Sequence, residues 1–302
     1  MSQPGKKIIV IEGPTAVGKT AVAIDLALRL GTEIISADSR QCYKGMSIGT
    51  AKPTPDELKL VKHHFIDEFP VTTQLDAHDF EQLALGCLEH IFLTNDHAVV
   101  CGGTGLYIKA LCEGIDDMPA VDPSINDEVN EAYNSKGLIW LQETVQQEDP
   151  LFYAQGEIQN PARLLRALIF IRSAGESIIK YRTNARKDRP FGIIKIGLEL
   201  QREELYKRIN ERVDNMLARG LADEVATLYP YRHLKNLRTV GYEELFGYMD
   251  GECTMKEAVT KIKQHTRNYA KRQLTWFKKD TGTTWFRADV RQLIDKILSF
   301  LA

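Results

Sequence analysis

Residues 13–20 read Gly-Pro-Thr-Ala-Val-Gly-Lys-Thr and match the pattern GxxxxGK(S/T) of a phosphate-binding loop. In such a loop, backbone N–H groups converge on phosphate oxygens, and the N-terminus of the following helix adds partial positive charge. Lys19 supplies a full positive charge, and the hydroxyl of Thr20 can hold Mg²⁺. The pattern therefore predicts a site for a phosphate anion, which need not be a nucleoside triphosphate.

Asp38 is the second candidate for chemistry. It ends the segment TEIISAD, whose apolar residues predict a strand. Because parallel strands end at the same edge of a sheet, we expect Asp38 to lie beside the phosphate-binding loop. A carboxylate next to a bound phosphate ester can act as a general base. The spacing is also compatible with a carboxylate that only caps a helix or a turn.

The strand-end aspartate that holds the metal in many nucleoside triphosphatases is not visible in this sequence. The segment HAVVCGGTGLY, at 97–107, ends in glycines instead. Either the metal is held in another way, or the ligand is not a nucleoside triphosphate.

The elements around these residues alternate between strand and helix over the first hundred residues. KIIVIEG predicts a strand, GKTAVAIDLALRLG a helix that ends at Gly31, and both TEIISAD and HAVVCGG further strands. This alternation predicts an α/β fold, with a P-loop NTPase-like core in which a parallel sheet is flanked by helices.

The middle of the chain predicts a helical insertion domain. Residues 118–189 have a helical pattern, and Asn160 and Pro161 are a good N-cap and first position for a helix that runs to Gly175. FGIIKIGLEL, at 191–200, predicts a strand that returns to the sheet. We therefore assign 1–118 and 190–302 to the core and 119–189 to the insertion, and we predict only helices beyond residue 201.

The charge distribution indicates where RNA could bind, although the net charge of −2 does not. The tract 261–279 holds seven Lys and Arg residues, no Asp or Glu, and three aromatic residues. In a helix, Lys263, Arg267, Lys271 and Lys278 form one stripe, and Ile262, Tyr269 and Trp276 form a second that we expect to pack. A basic stripe can bind phosphate, or it can be an ordinary solvated face.

The remaining composition points to a cytoplasmic protein without a membrane segment. No apolar run approaches the roughly 18 residues of a membrane span, and the first apolar stretch is too short for a secretory signal. The five cysteines form no CxxC pair, which argues against both a disulfide framework and a zinc site.

Seven segments in succession resemble the motifs of the bacterial tRNA dimethylallyltransferase family, in the order found there: GPTAVGKT, ISADSRQCYKGMSIGTAKP, HHFIDEFP, CGGTGLYIKAL, NPARLLRALIFIRSAGE, RTVGYEE and TRNYAKRQLTWF. The resemblance implies that dimethylallyl diphosphate lies on the phosphate-binding loop. Its allylic carbon would be attacked by the exocyclic amine of the adenosine just 3′ of the anticodon. Mg²⁺ is the implied cofactor and Thr20 its implied ligand, and we expect a monomer that binds the anticodon stem-loop of tRNA.

The same resemblance implies roles for individual residues. The implied catalytic residues are Asp38, Thr104 and Arg212. The implied contacts of the prenyl donor are Gly13, Thr15, Ala16, Val17, Gly18, Lys19 and Thr20. The implied contacts of tRNA are Asp38, Ser39, Arg40, Gln41, Arg163, Arg166, Arg238, Gly241, Tyr242, Arg267, Lys271, Arg272 and Trp276.

Three other functions compete with this interpretation. A small-molecule kinase would share the phosphate-binding loop, but the missing strand-end aspartate and the basic C-terminal tract argue against it. A prenyltransferase acting on free adenine nucleotides would not need the motifs assigned to tRNA. An RNA-binding protein without enzymatic activity would not need the loop and Asp38 together.

Overall fold

A parallel β-sheet forms the centre of the larger part of the molecule. The computed structural model describes residues 5–183 and 185–301. Its strands are β1 (Lys7–Glu12), β2 (Ile34–Ser36), β3 (His63–His64), β4 (His97–Cys101), β5 (Gly192–Glu199) and β6 (Thr283–Arg287). They pair in the order β3-β2-β4-β1-β5-β6, and each pairing is parallel. The predicted α/β fold with a parallel sheet is confirmed.

Helices flank this sheet and form the rest of the molecule. Their bounds are α1 (Lys19–Leu30), α2 (Pro55–Leu60), α3 (Ala77–Ile91), α4 (Gly105–Glu113), α5 (Pro123–Glu148), α6 (Pro150–Gln155), α7 (Pro161–Ala174), α8 (Ile178–Tyr181), α9 (Arg202–Ala218), α10 (Leu221–Leu228), α11 (Tyr242–Met249), α12 (Met255–Phe277) and α13 (Leu293–Leu301). Within the residues that the structure describes, no helix is both long enough and apolar enough to span a membrane.

The apolar run of β1 explains why this strand is central. Ile8 to Ile11 are completely buried, as expected for a strand that has neighbours on both sides and helices on both faces. Directly after β1 the chain turns into α1, which ends at Gly31 in the left-handed conformation (φ 61°). The predicted end of this helix is confirmed.

The chain divides into two compact units. One comprises residues 1–113 and 188–302, and the other comprises residues 114–187. The second unit contains α5 to α8 and has its own apolar core, in which Val129, Leu141 and Phe152 are completely buried. Asn160 caps α7 by accepting hydrogen bonds from the backbone of Ala162 and Arg163, as the sequence predicted.

Two strands were not predicted. The segment beyond residue 201 is helical except for β6, which pairs with β5 and extends the sheet at one edge. Its first residue, Thr283, donates a hydrogen bond of 2.7 Å to the buried carboxylate of Glu12 at the end of β1. The other is β3, a pair of residues beside β2.

Candidate active site

The phosphate-binding loop joins β1 to α1 and depends on unusual backbone conformations. Gly13 has a φ of 141°, and a Cβ atom there would lie 2.5 Å from the carbonyl oxygen of Leu198. Gly18 also has a positive φ, and so does Ala16 (φ 64°), which is uncommon for a residue with a side chain. Such strained positions persist where the surrounding structure enforces them, and they cluster at ligand sites.

Lys19 lies over this loop. Its ammonium group donates hydrogen bonds to the carbonyl oxygens of Gly13 (3.0 Å) and Pro14 (2.8 Å). Burial lowers the pKa of Lys19 to about 8; the nearby Arg212 also lowers it, while Cys101 and Asp38 act in the opposite direction. A positive charge held in this environment is well suited to an anion, since binding of the anion restores the stability of the charged form.

Asp38 follows β2 at the same edge of the sheet. Its Oδ1 accepts hydrogen bonds from the backbone N–H groups of Arg40 (2.9 Å) and Gln41 (3.2 Å) and so closes a tight turn. Among the described residues, no hydrogen-bond donor is bound to Oδ2. The carboxylate therefore caps a turn, as one interpretation of the sequence predicted, and also keeps one oxygen for another partner.

The loop and Asp38 face a single cavity of about 460 Å³. This volume lies within the range of about 300–1,000 Å³ typical of small-molecule sites. Residues of the loop, of the turns after β2 and β4, of the segment 239–241, and of α9 and α12 line it. The lining residues include Thr15, Ala16, Gly18, Lys19, Thr20, Asp38, Arg40, Gln41, Gly49, Gly102, Gly103, Arg212, Val213, Met216, Leu221, Gly241, Tyr269 and Gln273.

Arg212 reaches this cavity from α9. Burial lowers the pKa of Arg212, and the carboxylate of Asp38 partly offsets that effect. A guanidinium group nevertheless stays protonated in proteins. Lys19 and Arg212 thus bring two positive charges to a cavity that also contains the Asp38 carboxylate.

Four residues of α12 line this cavity and were not predicted as site residues: Ile262, Thr266, Tyr269 and Gln273. Tyr269 was expected to pack, but it lines the cavity, and burial together with Asp38 raises the pKa of its hydroxyl to about 12. Gln273 is buried and bonds to the backbone of Thr15 and Gly103. The sequence around Tyr269 and Gln273 does not indicate these roles, because Asp38, Thr15 and Gly103 are far away along the chain.

Three of the residues predicted to bind the prenyl donor or to act in catalysis lie outside the cavity wall. Val17 is 1% exposed and belongs to the core around β1, so its side chain is not available to the prenyl donor. Gly13 is likewise enclosed, against Leu198. Thr104 accepts a hydrogen bond from the backbone N–H of Ser39 (3.0 Å), so it holds the turn that contains Asp38. Its catalytic role stays a prediction, as does tRNA binding by Ser39.

The loop 47–49 carries part of the cavity wall and is fixed by a half-buried acid. The carboxylate of Glu224 accepts hydrogen bonds from the backbone N–H groups of Ser47, Ile48 and Gly49 and from the hydroxyl of Tyr242. Tyr242 is completely buried, and its ring lies so close to Gly49 that a Cβ atom there would clash. The Tyr242 side chain therefore supports the loop, and contact of this residue with tRNA stays a prediction. Gly241 lines the cavity, and Arg238 is exposed.

The basic tract forms α12, as predicted, but its faces differ from the prediction. The buried line consists of Ala258, Ile262, Ala270, Gln273 and Phe277, whereas Trp276 is 45% exposed. The expectation that Trp276 packs into the core was wrong.

Most cations of the predicted basic stripe on α12 already have partners. Lys263 pairs with Asp214, Arg267 donates to Asn210, and Lys278 pairs with Glu199. The outer surface of α12 is instead a shallow groove lined by Asn268, Lys271, Arg272, Thr275, Trp276 and Lys279. We call this surface the α12 groove.

The helical unit carries a second group of cations. Arg163 and Arg166 are exposed on α7, and Arg163 pairs with Glu157 at 2.7 Å. Burial of Arg182 lowers the pKa of its guanidinium group, and the positive charges of Arg166 and Arg163 lower it further. These three arginines therefore lie close enough together to form one positive patch within this unit.

Comparison with known proteins identifies the family. A profile of the IPP transferase family matches residues 41–280. The chain belongs to this family. A member from Cytophaga hutchinsonii, named tRNA dimethylallyltransferase, is 44% identical over 286 residues, which cover 95% of this chain and 94% of the relative. One from Christiangramia forsetii with the same name is 45% identical over 282 residues, or 93% of each chain. The resemblance found in the sequence motifs is confirmed.

Solved structures of family members share the fold. The tRNA isopentenylpyrophosphate transferase of Bacillus halodurans is 37% identical, has a TM-score of 0.73, and aligns over 98% of this chain and 95% of its own. A eukaryotic dimethylallyltransferase acting on tRNA is 25% identical with a TM-score of 0.78, and the alignment covers 95% of this chain and 75% of that one. The similarity therefore extends across both compact units.

Proposed function

We propose that this chain transfers a dimethylallyl group from dimethylallyl diphosphate to the exocyclic amine of the adenosine 3′-adjacent to the anticodon in tRNA, and releases diphosphate. The observation that carries the proposal is that a phosphate-binding loop and the carboxylate of Asp38 face the same cavity. Family membership supports it, because the relatives are named for this reaction.

In the proposed reaction, the amine nitrogen forms a bond to the allylic carbon as the bond from that carbon to the diphosphate oxygen breaks. The electron pair leaves with diphosphate, and the amine proton passes to Asp38. Lys19, Arg212 and the N–H groups of the loop stabilise the negative charge that develops on the leaving group.

Asp38 has a specific task in this scheme. An aromatic amine is a weak nucleophile, so it must be oriented toward the carbon and must lose its proton as the bond forms. The Oδ1 atom of Asp38 is fixed by the turn, which leaves Oδ2 to accept the hydrogen bond from the amine. The prenyl group itself needs no polar contact, and Val213, Met216 and Leu221 give the cavity an apolar part.

Mg²⁺ belongs to the proposal as a companion of the diphosphate. Thr20 lines the cavity, and no group of three or more His, Cys, Asp or Glu side chains among the described residues could hold a metal. A Ser or Thr hydroxyl at this position of a phosphate-binding loop fits Mg²⁺, which is usually held together with substrate phosphates and water. We propose Thr20 as the protein ligand, and the bound ion would neutralise charge on the diphosphate.

For tRNA we propose contacts with the α12 groove and with the arginine patch of the helical unit. The α12 groove combines exposed cations with the partly exposed indole of Trp276. Cations attract the phosphate backbone, and an exposed aromatic ring can stack on an unpaired base. We also propose contacts from Arg40, Gln41 and Gly241, which line the cavity that would take the target base.

The decisive experiment is transfer with labelled dimethylallyl diphosphate. The purified protein is incubated with unmodified tRNA, with AMP, or with ATP and no prenyl donor, and the products are digested and identified. The proposal expects label on the adenosine 3′-adjacent to the anticodon, and no comparable transfer to AMP. Label on AMP alone, or phosphoryl transfer from ATP without prenylation, would refute it in favour of the corresponding alternative.

A further inference from the structure

The side chain of Gln273 joins two loops of the candidate active site. Its Oε1 accepts a hydrogen bond from the backbone N–H of Thr15 at 2.8 Å, and its Nε2 donates one to the carbonyl oxygen of Gly103 at 2.9 Å. The two partners lie 258 and 170 residues away in the sequence. Gln273 is only 6% exposed, so water competes little for these bonds.

The two bonds fix the orientation of the amide. The oxygen must face the N–H of Thr15 and the nitrogen must face the carbonyl of Gly103, since the exchanged orientation would oppose two donors at one end and two acceptors at the other. The contact at Gly103 is also close: a Cβ atom at this glycine would lie 2.3 Å from Nε2 of Gln273. The amide therefore acts as a spacer of defined length and polarity.

One end of the Gln273 amide contacts the phosphate-binding loop, and the other end contacts the segment that supports the turn with Asp38. Thr15 belongs to the phosphate-binding loop. On the other side, Gly102 packs directly on the carbonyl of Ala37, and the N–H of Thr104 donates to the same carbonyl at 3.2 Å. The Thr104 hydroxyl holds the N–H of Ser39. Asp38 lies between these two anchored residues.

We propose that Gln273 is a positioning residue that sets the separation between the phosphate-binding loop and the turn that carries Asp38. It acts through Thr15 and Gly103. Transfer requires the leaving group and the proton acceptor to be correctly placed at the same moment, and a displacement of about 1 Å can cost roughly 100-fold in rate. The inference rests on the proposed function, because it assigns Gln273 to the geometry of that reaction.

Two substitutions distinguish the effect of losing both hydrogen bonds from the effect of losing only the bond to Gly103. Gln273→Met preserves length and most of the volume but removes both bonds, whereas Gln273→Glu preserves an acceptor for Thr15 and removes the donor to Gly103. The matched control is Gln264→Met, on the same helix at an exposed position. The full-length variants are compared with wild type for thermal unfolding, kcat, and KM for each substrate.

For Gln273→Met we expect kcat to fall by roughly 10- to 100-fold. KM for dimethylallyl diphosphate should rise, while KM for tRNA should stay within about twofold, because the exposed cations of the α12 groove are unchanged. Gln273→Glu should raise the donor KM further, since it adds a negative charge beside the phosphate-binding loop. The control should match wild type in all three constants.

The inference is overturned if a folded Gln273→Met enzyme retains wild-type kcat and donor KM. It is also overturned if both substrates lose affinity equally, or if neither variant folds, because a purely structural role would then explain the residue. An inactive wild-type enzyme would instead refute the proposed function. In that case, binding of inorganic diphosphate to wild type and to Gln273→Met tests the link to the loop: equal affinity would overturn the inference.

Discussion

The two oxygens of Asp38 have different surroundings. Oδ1 closes a turn with the backbone of Arg40 and Gln41, and Oδ2 carries no hydrogen bond from the described residues. A carboxylate that is held by one oxygen cannot rotate freely, so its second oxygen is already oriented before a substrate arrives. Capping a turn and acting as a base are therefore compatible roles for one side chain.

This arrangement predicts the effect of Asp38→Asn. The asparagine oxygen can keep the turn, but the amide has no basicity, so turnover should fall by roughly 100- to 10,000-fold. Binding of dimethylallyl diphosphate should change little, because loss of a negative charge does not weaken the attraction of an anion. The measurement is single-turnover transfer at saturating concentrations of both substrates.

Asp76→Asn is a matched control, since Asp76 caps α3 through its own carboxylate. It should leave the rate unchanged. A rate for Asp38→Asn within a few-fold of wild type would remove Asp38 from the mechanism.

Lys19 predicts a dependence of donor binding on pH. Its pKa is lowered to about 8, mainly by burial, so the free enzyme loses this positive charge as the pH rises through 8. Without tRNA, the dissociation constant of dimethylallyl diphosphate should rise by about 25-fold between pH 7.5 and 9.5. The donor keeps its charge over this interval, because the second pKa of a phosphate ester is about 6. Isothermal calorimetry at several pH values measures the effect.

In a Lys19→Met variant, donor binding should be weak at pH 7.5 and nearly independent of pH. A flat profile for the wild-type enzyme over the same interval would contradict the assignment of Lys19 as a diphosphate ligand.

At the scale of elements, two sides of α12 have different roles in the proposed function. Its buried side presents Gln273 to the phosphate-binding loop, and its outer side forms the α12 groove. Arg267 is half-buried and donates a hydrogen bond to Asn210 of α9, so it is less available to an RNA phosphate. The exposed cations Lys271 and Arg272 are the better candidates for RNA phosphates.

We predict that the double variant Lys271→Ala/Arg272→Ala weakens tRNA binding and reduces the slope of log K against log salt by about two units, close to one unit for each lost phosphate contact. Donor affinity should be unaffected. The measurement is tRNA binding at several salt concentrations.

The control is Lys256→Ala/Lys261→Ala, which removes the same charge from exposed positions in the first half of α12. An equal loss of slope in both double variants would mean that the groove attracts RNA only through the net charge of the protein.

At the scale of the whole molecule, Glu12 makes stability depend on pH. It is 2% exposed at the end of β1, and burial raises its pKa to about 7, although the hydrogen bond from Thr283 and the charge of Lys195 oppose this shift. Between pH 4.5 and 7 the folded state therefore binds more protons at Glu12 than the unfolded state does, so its contribution to stability falls as the pH rises.

Glu12→Gln removes this ionisation. On going from pH 5 to pH 8, the free energy of unfolding of the variant should rise relative to that of wild type by about 2.5 kcal/mol. Urea denaturation at both pH values measures the difference. Glu89→Gln, at an exposed position, should show no such gain. An equal effect of pH on wild type and Glu12→Gln would contradict the prediction.

Patterns carried by neighbouring residues were predictable from the sequence. The phosphate-binding loop, the end of α1 at Gly31 and the cap of α7 at Asn160 each depend on a few consecutive residues with a distinct physical role. The edge of the sheet that carries Asp38 followed from the rule for parallel strands.

What the sequence did not reveal depends on partners that are far away along the chain. Tyr242 is buried because it packs on Gly49 and bonds to Glu224, and its own neighbours give no sign of that. Gln273 was missed for the same reason. β6 follows a long basic helix and is only five residues long, so its pairing with β5 decides its structure more than its own pattern does.

The order of the strands also determines when the sheet can form during synthesis. Lys7 in β1 pairs with His97 in β4 and with Gly192 in β5, so the central strand gains its second neighbour only after a further 185 residues have been made. At about 5–20 residues per second, that delay is roughly 10–40 s. Meanwhile residues 114–187, whose core is local, can fold on the ribosome. Until then β1 lacks its partner β5, so nascent chains arrested before residue 192 should lack the support that Leu198 gives to Gly13.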